Sequence, residues 1–153
     1  MTPPDADGTA FDAPELSPGF VLWRATLAWQ RRVAAALAPL DLTHVQFVLL
    51  ACAWWLAREA PPRQADIAAQ AGTDAVMTSE VIRRLESKGL LHRTMDAVDR
   101  RARRIEVTPE GVALAIRAVA AVEAVDREVL GGLDGDLLER LAAIAGLPAG
   151  GAI

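Results

Sequence analysis

Cysteine occurs once, at Cys52, tyrosine is absent, and histidine appears only at His44 and His92. A lone thiol closes no internal disulfide, and two widely separated histidines with one cysteine are a poor start for a metal site. Long apolar runs are missing as well. The longest uncharged run of mainly apolar residues, Val45 to Ala57, is 13 residues, short of the roughly 20 that span a bilayer, so no membrane partner is expected. Asp5, Asp7, Asp12 and Glu15 lie near the N-terminus with no basic cluster ahead of an apolar stretch. Such a start does not read as a secretory signal, and a cytoplasmic protein is the expectation. There is no glycine-rich phosphate loop, no Ser-His-Asp arrangement and no convincing carboxylate pair, so neither an enzyme nor a cofactor is expected.

What remains is rich in helix-forming residues. Of 153 residues, 52% are apolar, 24% are charged and 31 are alanine, enough for one domain with a sizeable helical core. The expected layout is a flexible segment over 1–17, one domain over 18–147 and a tail over 148–153. Formal net charge is −4, which alone argues against a partner as acidic as DNA. The distribution argues otherwise. From Arg83 to Arg104 there are eight basic residues against three acidic ones, a local +5 that leaves −9 on the rest. A basic segment on an acidic body meets polyphosphate on one face and avoids unspecific adhesion elsewhere. Arginine outnumbers lysine 15 to 1 throughout the chain, a bias without local meaning.

The pattern predicts a helix over Phe20 to Leu37, ended by Pro39. Thr43 and Gln46 fit a capping box ahead of Val45 to Trp55, which is apolar on nearly every side and expected to be central. Pro61-Pro62 breaks the chain, a short helix follows over Arg63 to Ala71, and Gly72 stops it. A second helix, about Asp74 to Lys88, carries Thr78, Val81, Ile82 and Leu85 at helical spacing. Two helices joined by so tight a turn read as helix-turn-helix. Leu91 to Met95 and Arg103 to Val107 are strand-like, with a polar tip between them. Thr108 and Pro109 restart a helix, striped by Val112, Ile116, Val119, Val122, Val125 and Val129. Gly131-Gly132 breaks it, and Asp134 is expected to cap a last helix ending near Ala145. The fold class is therefore mainly α (α+β): a winged helix-turn-helix with a two-stranded β-wing, between helices that cannot all bury their apolar faces in one copy.

Residues 62–111, PRQADIAAQAGTDAVMTSEVIRRLESKGLLHRTMDAVDRRARRIEVTPEG, preceded by LTHVQFVLL at 42–50, resemble the multiple antibiotic resistance regulator (MarR) family of transcription factors. Asp99-Arg100-Arg101 and Val107-Thr108-Pro109-Glu110-Gly111 are the most specific part, and similarity of pattern runs over about 18 to 145. The resemblance implies a homodimer with dimerisation helices at about 18–38 and 109–146 and a DNA-binding lobe at about 42–108. Each copy would lay the second helix of its helix-turn-helix in a major groove, with half-sites about 34 Å apart on a pseudo-palindromic operator. Ala75, Val76, Met77, Ser79, Glu80 and Arg83 would then face the duplex. Arg83 suits a guanine edge, Ser79 a base or phosphate, and Val76 and Met77 thymine methyls or, alternatively, the core. Arg84 would reach phosphate or solvent. Arg101 occupies the position that enters the minor groove, where negative potential favours guanidinium.

The resemblance also pairs Asp74 with Arg101 to hold the wing; the alternative is that Asp74 serves only the helix N-terminus. Asp99 would orient the tip, while Arg100, Arg103 and Arg104 would add phosphate contacts or stay solvated. Strand alternation turns Arg103 inward with Ile105 and leaves Arg104 freer. Family members commonly respond to small aromatic acids. Candidates for such a pocket are Trp23, Arg24, Trp29, His44, Phe47, Trp54 and Trp55, with core or interface packing the competing reading. Cys52, set in an apolar helix without tyrosines, reads as an inert thiol. The overall expectation is a repressor of a pseudo-palindromic operator, released by a small aromatic ligand. The alternative is a winged-helix module that binds protein and leaves its basic hairpin solvated.

Overall fold

Helix ends in this chain are set by side chains that satisfy otherwise orphaned backbone groups. In the structure, a computed structural model that describes residues 8–131 and 135–148, Ser17 accepts from the Phe20 N–H and opens α1, Pro18–Leu37. One turn of 3₁₀ helix precedes it at Pro14–Leu16, inside the segment expected to be loose. Thr43 Oγ1 accepts from Gln46 N at 3.3 Å while Gln46 Oε1 accepts from Thr43 N at 3.2 Å. This capping box starts α2, His44–Leu56. Helices α3, Gln64–Ala71, and α4, Ala75–Ser87, are joined through Gly72, whose φ of 70° only glycine adopts without strain. Asp74 caps α4, and the Thr78 hydroxyl bonds back to the Asp74 carbonyl at 2.7 Å.

β1, Leu91–Met95, pairs antiparallel with β2, Arg103–Val107, in the register Leu91↔Val107 to Met95↔Arg103. A single bridge, Arg63↔Arg104, and a bond from Ile105 N to Pro62 O at 2.9 Å attach the segment before α3 to this hairpin. Thr108 then caps α5, Pro109–Leu130, by accepting from Gly111 N at 3.0 Å, and donates to Gly89 O at 2.7 Å. After residues 132–134, which lie outside the described range together with the expected Gly132 break and Asp134 cap, comes α6, Gly135–Ile144.

The core is where α2, α3, α4, β1, β2 and α5 meet: Leu49, Leu50, Ile67, Ile82, Leu85, Leu91 and Ile105 are fully buried. Each such side chain contributes about 1.5–3 kcal/mol of burial. The inward face of α4 is the expected set Thr78, Val81, Ile82 and Leu85. The stripe expected on α5 needs correction. Val122 and Val125 are buried, but Ile116 is 51% exposed, and the rest of the buried face is Gly111, Ala115 and Ala118. At Gly111, α5 lies against the backbone of Leu90, and further along it packs on α1 and α2. Trp55 departs too: it ends the apolar α2 yet is 57% exposed. No helix among the described residues is by itself long and apolar enough to cross a membrane.

Gly111 shows how tight the approach is. A Cβ there would lie 1.9 Å from the Leu90 carbonyl oxygen and 2.8 Å from Val107 Cγ1. That carbonyl already accepts from Thr108 N at 3.1 Å, so it cannot yield without losing a bond. Gly111→Ala should therefore destabilise by about 1–3 kcal/mol or more, seen as a lower urea midpoint at fixed protein concentration. An unchanged midpoint would show that the junction of β1 and α5 is loose.

Candidate nucleic-acid interface

Once Thr78, Val81, Ile82 and Leu85 take the core side of α4, helical periodicity turns Val76, Glu80 and Arg83 outward. Val76 is 79% exposed and Met77 44% exposed, so neither packs in the core. Ala75, Glu80, Arg83 and Arg84 are exposed and Ser79 is half-buried. Glu80 and Arg84 form an i,i+4 pair, worth only a few tenths of a kcal/mol by the usual surface measure. Glu86 fixes the end of α4 to β1 by accepting from Arg93 N at 3.0 Å and Arg93 Nε at 2.8 Å. Those two bonds hold the Glu86 carboxyl below its ordinary range. Lys88, the only lysine, bonds the Asp41 carboxylate at 3.1 Å and Gln46 Oε1 at 3.4 Å.

The wing is aimed by a residue the sequence reading passed over. Asp96, 2% exposed, accepts at Oδ1 from Val98 N at 2.8 Å and Asp99 N at 2.9 Å, and at Oδ2 from Arg104 Nε at 2.6 Å and Arg63 Nε at 3.3 Å. The Asp99 and Val98 N–H groups, then Arg104, hold its carboxyl far below the usual range. Arg104 also donates to Pro61 O at 2.8 Å. The expectation for the two strand arginines is thereby reversed: Arg104 is half-buried and tied down, while Arg103 is exposed. Alternation holds at Ile105, but hydrogen bonding decides where the arginines go.

The expected Asp74–Arg101 pair is also corrected. Asp74 Oδ1 accepts from Met77 N at 2.8 Å, and among the described residues no ion pair joins it to Arg101. Its carboxylate is spent on the start of α4, and Asp96 takes over the anchoring. Asp99 does shape the tip, accepting from Arg101 N at 3.0 Å. Arg83, Arg100, Arg101 and Arg103 are exposed and, among the described residues, form no ion pair.

The aromatic candidates do not form one pocket. His44 packs edge-on to Trp29 at 5.2 Å and lies 6.5 Å from Phe47. Burial pushes the His44 pKa down, partly opposed by Asp126, which accepts from Trp29 Nε1 at 2.7 Å. Trp54 and Trp55 sit about 15 Å further along α2 by helical rise, where Arg58 lies over both rings, at 4.9 and 4.0 Å. Trp23 is 61% exposed, and Arg24 lines a separate cleft with Phe20 and Arg31. An apolar cavity of about 600 Å³ lies instead between α1, the end of α5 and α6, lined by Val21, Leu22, Trp29, Leu130, Leu137 and Leu141 among others. Of the predicted set only Trp29 reaches it. Cys52 is half-buried, and burial pushes its thiol pKa up, away from reactive thiolate.

The model of the MarR family matches residues 42–102. The uncharacterised HTH-type transcriptional regulator YdcH of Bacillus subtilis (strain 168) is 42% identical over 118 residues, covering 76% of this chain and 80% of that protein. The chain belongs to the MarR family. CouR from Rhodococcus jostii RHA1 bound to p-coumaroyl-CoA superposes with a TM-score of 0.75 at 28% identity, over 88% of this chain and 93% of that one. The transcriptional repressor CouR bound to a 23-mer DNA duplex gives 0.73 at 30% identity, over 90% and 99%. The order of six α-helices and two strands among the described residues of this MarR member thus matches structures that it covers over 93% and 99% of their length.

In this MarR member the Asp96 cluster makes a definite prediction. A carboxyl with a depressed native pKa stabilises the fold above its unfolded value, ordinarily 3.8 here, and loses that contribution as pH falls through the native one. Asp96→Asn should lower the thermal midpoint by an amount that is constant from neutral pH to about pH 5 and shrinks in stronger acid. Circular dichroism melts of both proteins across that range check it; equal midpoints at neutral pH would remove the cluster's anchoring role.

Proposed function

We propose that this protein is a DNA-binding transcriptional regulator that works as a homodimer in the cytoplasm, represses from a pseudo-palindromic operator, and has no catalytic activity. The observation that carries the reading is the free arginine set: Arg83 on the outer face of α4 and Arg100, Arg101 and Arg103 on the hairpin, on a chain whose net charge is −4. Free guanidinium groups at a helix face and a wing tip suit base edges and phosphates. Val76 and Met77, outward on the same helix, offer apolar contact to thymine methyls. CouR in complex with a DNA duplex supports the same use of the shared fold.

One copy leaves apolar surface uncovered where a second copy can pack. Val21, Leu22 and Trp23 on α1 and Leu138 on α6 are 46–65% exposed beside the apolar cavity, and α6 buries no residue at all. Contiguous apolar surface of that kind marks an interface. A two-fold dimer then sets two copies of α4 about one helical turn of DNA apart. Relief by a small aromatic ligand is part of the reading, supported by CouR with p-coumaroyl-CoA. Of the aromatic candidates, Trp29, His44 and Phe47 are the contiguous group.

Selection of bound fragments from random DNA should return a two-fold site. On that site Arg83→Ala should cost about 1–3 kcal/mol and relax the preference at one position per half-site, whereas Arg101→Ala should weaken all sequences alike. Fluorescence anisotropy at several salt concentrations reads both. Absence of binding to any duplex at low salt would refute the DNA reading and favour the protein-interaction module.

A further inference from the structure

At the root of the wing, Arg101 and Arg103 share a cleft with a third guanidinium group, that of Arg63. The cleft, about 340 Å³, opens between the start of α3 and β2, lined by Arg63, Gln64, Asp99, Arg101 and Arg103 together with two alanines. Three cations thus face one carboxylate, and Asp99 already accepts from the Arg101 backbone N–H. Arg63 uses its Nε on Asp96. A guanidinium carries five N–H donors, so four on Arg63 stay available. Arg103 makes no ion pair among the described residues. At the start of α3 the Asp66 N–H bonds the Arg63 carbonyl and the Asp66 carboxylate accepts from the Arg63 N–H at 2.9 Å, so the Gln64 and Ala65 N–H groups are the ones that helix geometry leaves without a partner.

We propose that this cleft binds one phosphate group, held by Arg63, Arg101 and Arg103 at the N-terminal end of α3. Arginine suits phosphate because its planar fork donates two parallel hydrogen bonds to a pair of oxygens. Asp96 is what makes the seat rigid: it fixes Arg63 from α3's side and Arg104 from β2's side, so the two walls keep their separation. The phosphate is a diester of the DNA backbone or a free phosphate ion. Only the first source rests on the DNA-binding reading.

Two measurements on the full chain separate these sources. Inorganic phosphate is titrated at constant ionic strength against chloride while the arginine Nε–Hε resonances are followed. The Arg63 and Arg103 signals should move saturably, with affinity reduced at least several-fold in Arg103→Gln and unchanged in Arg117→Gln, an equal charge change on exposed α5 surface. Affinity for a random-sequence duplex is then measured against salt. The slope of log K on log salt should fall by about 0.9 for each phosphate contact removed in Arg103→Gln and stay the same in Arg117→Gln. A change in slope, with or without free phosphate binding, assigns the seat to the DNA backbone; saturable phosphate binding with an unchanged slope assigns it to a free ion. Neither response, or equal responses in both variants, overturns the proposal. A protein that binds no duplex sinks the DNA-binding reading, and the phosphate titration still decides the cleft.

Discussion

A carboxylate left with 2% of its residue exposed survives only where donors surround it, because an unpaired buried charge costs several kcal/mol. Asp96 has four donors, two from the backbone of its own turn and two from arginines on different segments. The first pair folds the chain after β1 back toward β2. The second pair locks the hairpin to the entrance of α3, where the Arg63↔Arg104 bridge and the Pro62 carbonyl add backbone bonds. The hairpin is a two-stranded ribbon, a form with little independent stability. Its direction relative to α4 therefore rests on this carboxylate and its partners together with the Glu86–Arg93 bonds between α4 and β1.

The same interactions sort the basic residues into two groups. Arg84, Lys88, Arg93 and Arg104 each have an acidic partner, and three of the four partnerships tie one segment to another. Those cations belong to the scaffold. Arg83, Arg100, Arg101 and Arg103 stay exposed. The local +5 of the sequence is thus smaller in effect than its count of basic residues suggests, but it is concentrated on the helix face and hairpin that bear the functional reading.

Most of the scaffold was legible in the sequence because its signals are local. The Thr43–Gln46 capping box, the Thr108-Pro109 helix start, the Gly72 stop and the inward quartet of α4 each follow from a few neighbouring residues. The misses came where distant groups compete. Alternation along β2 could not foresee that Asp96 and the Pro61 carbonyl would draw Arg104 in. Asp96 itself had a faint signal: an Asp ending a strand and followed by turn residues commonly accepts from the N–H groups two and three positions on. The expected stripe on α5 followed large apolar residues, whereas close approach to Leu90 demands glycine at position 111 and the buried face continues with Ala115 and Ala118. The aromatic candidates failed as one pocket for a simple reason of length, since a straight helix cannot bring His44 and Trp54 together.

Between Arg83 and Arg104 the four cations without an ion pair among the described residues are all arginine. A guanidinium keeps its proton across every pH a cell tolerates. Control over this surface has to come from moving the arms that carry it, not from discharging them.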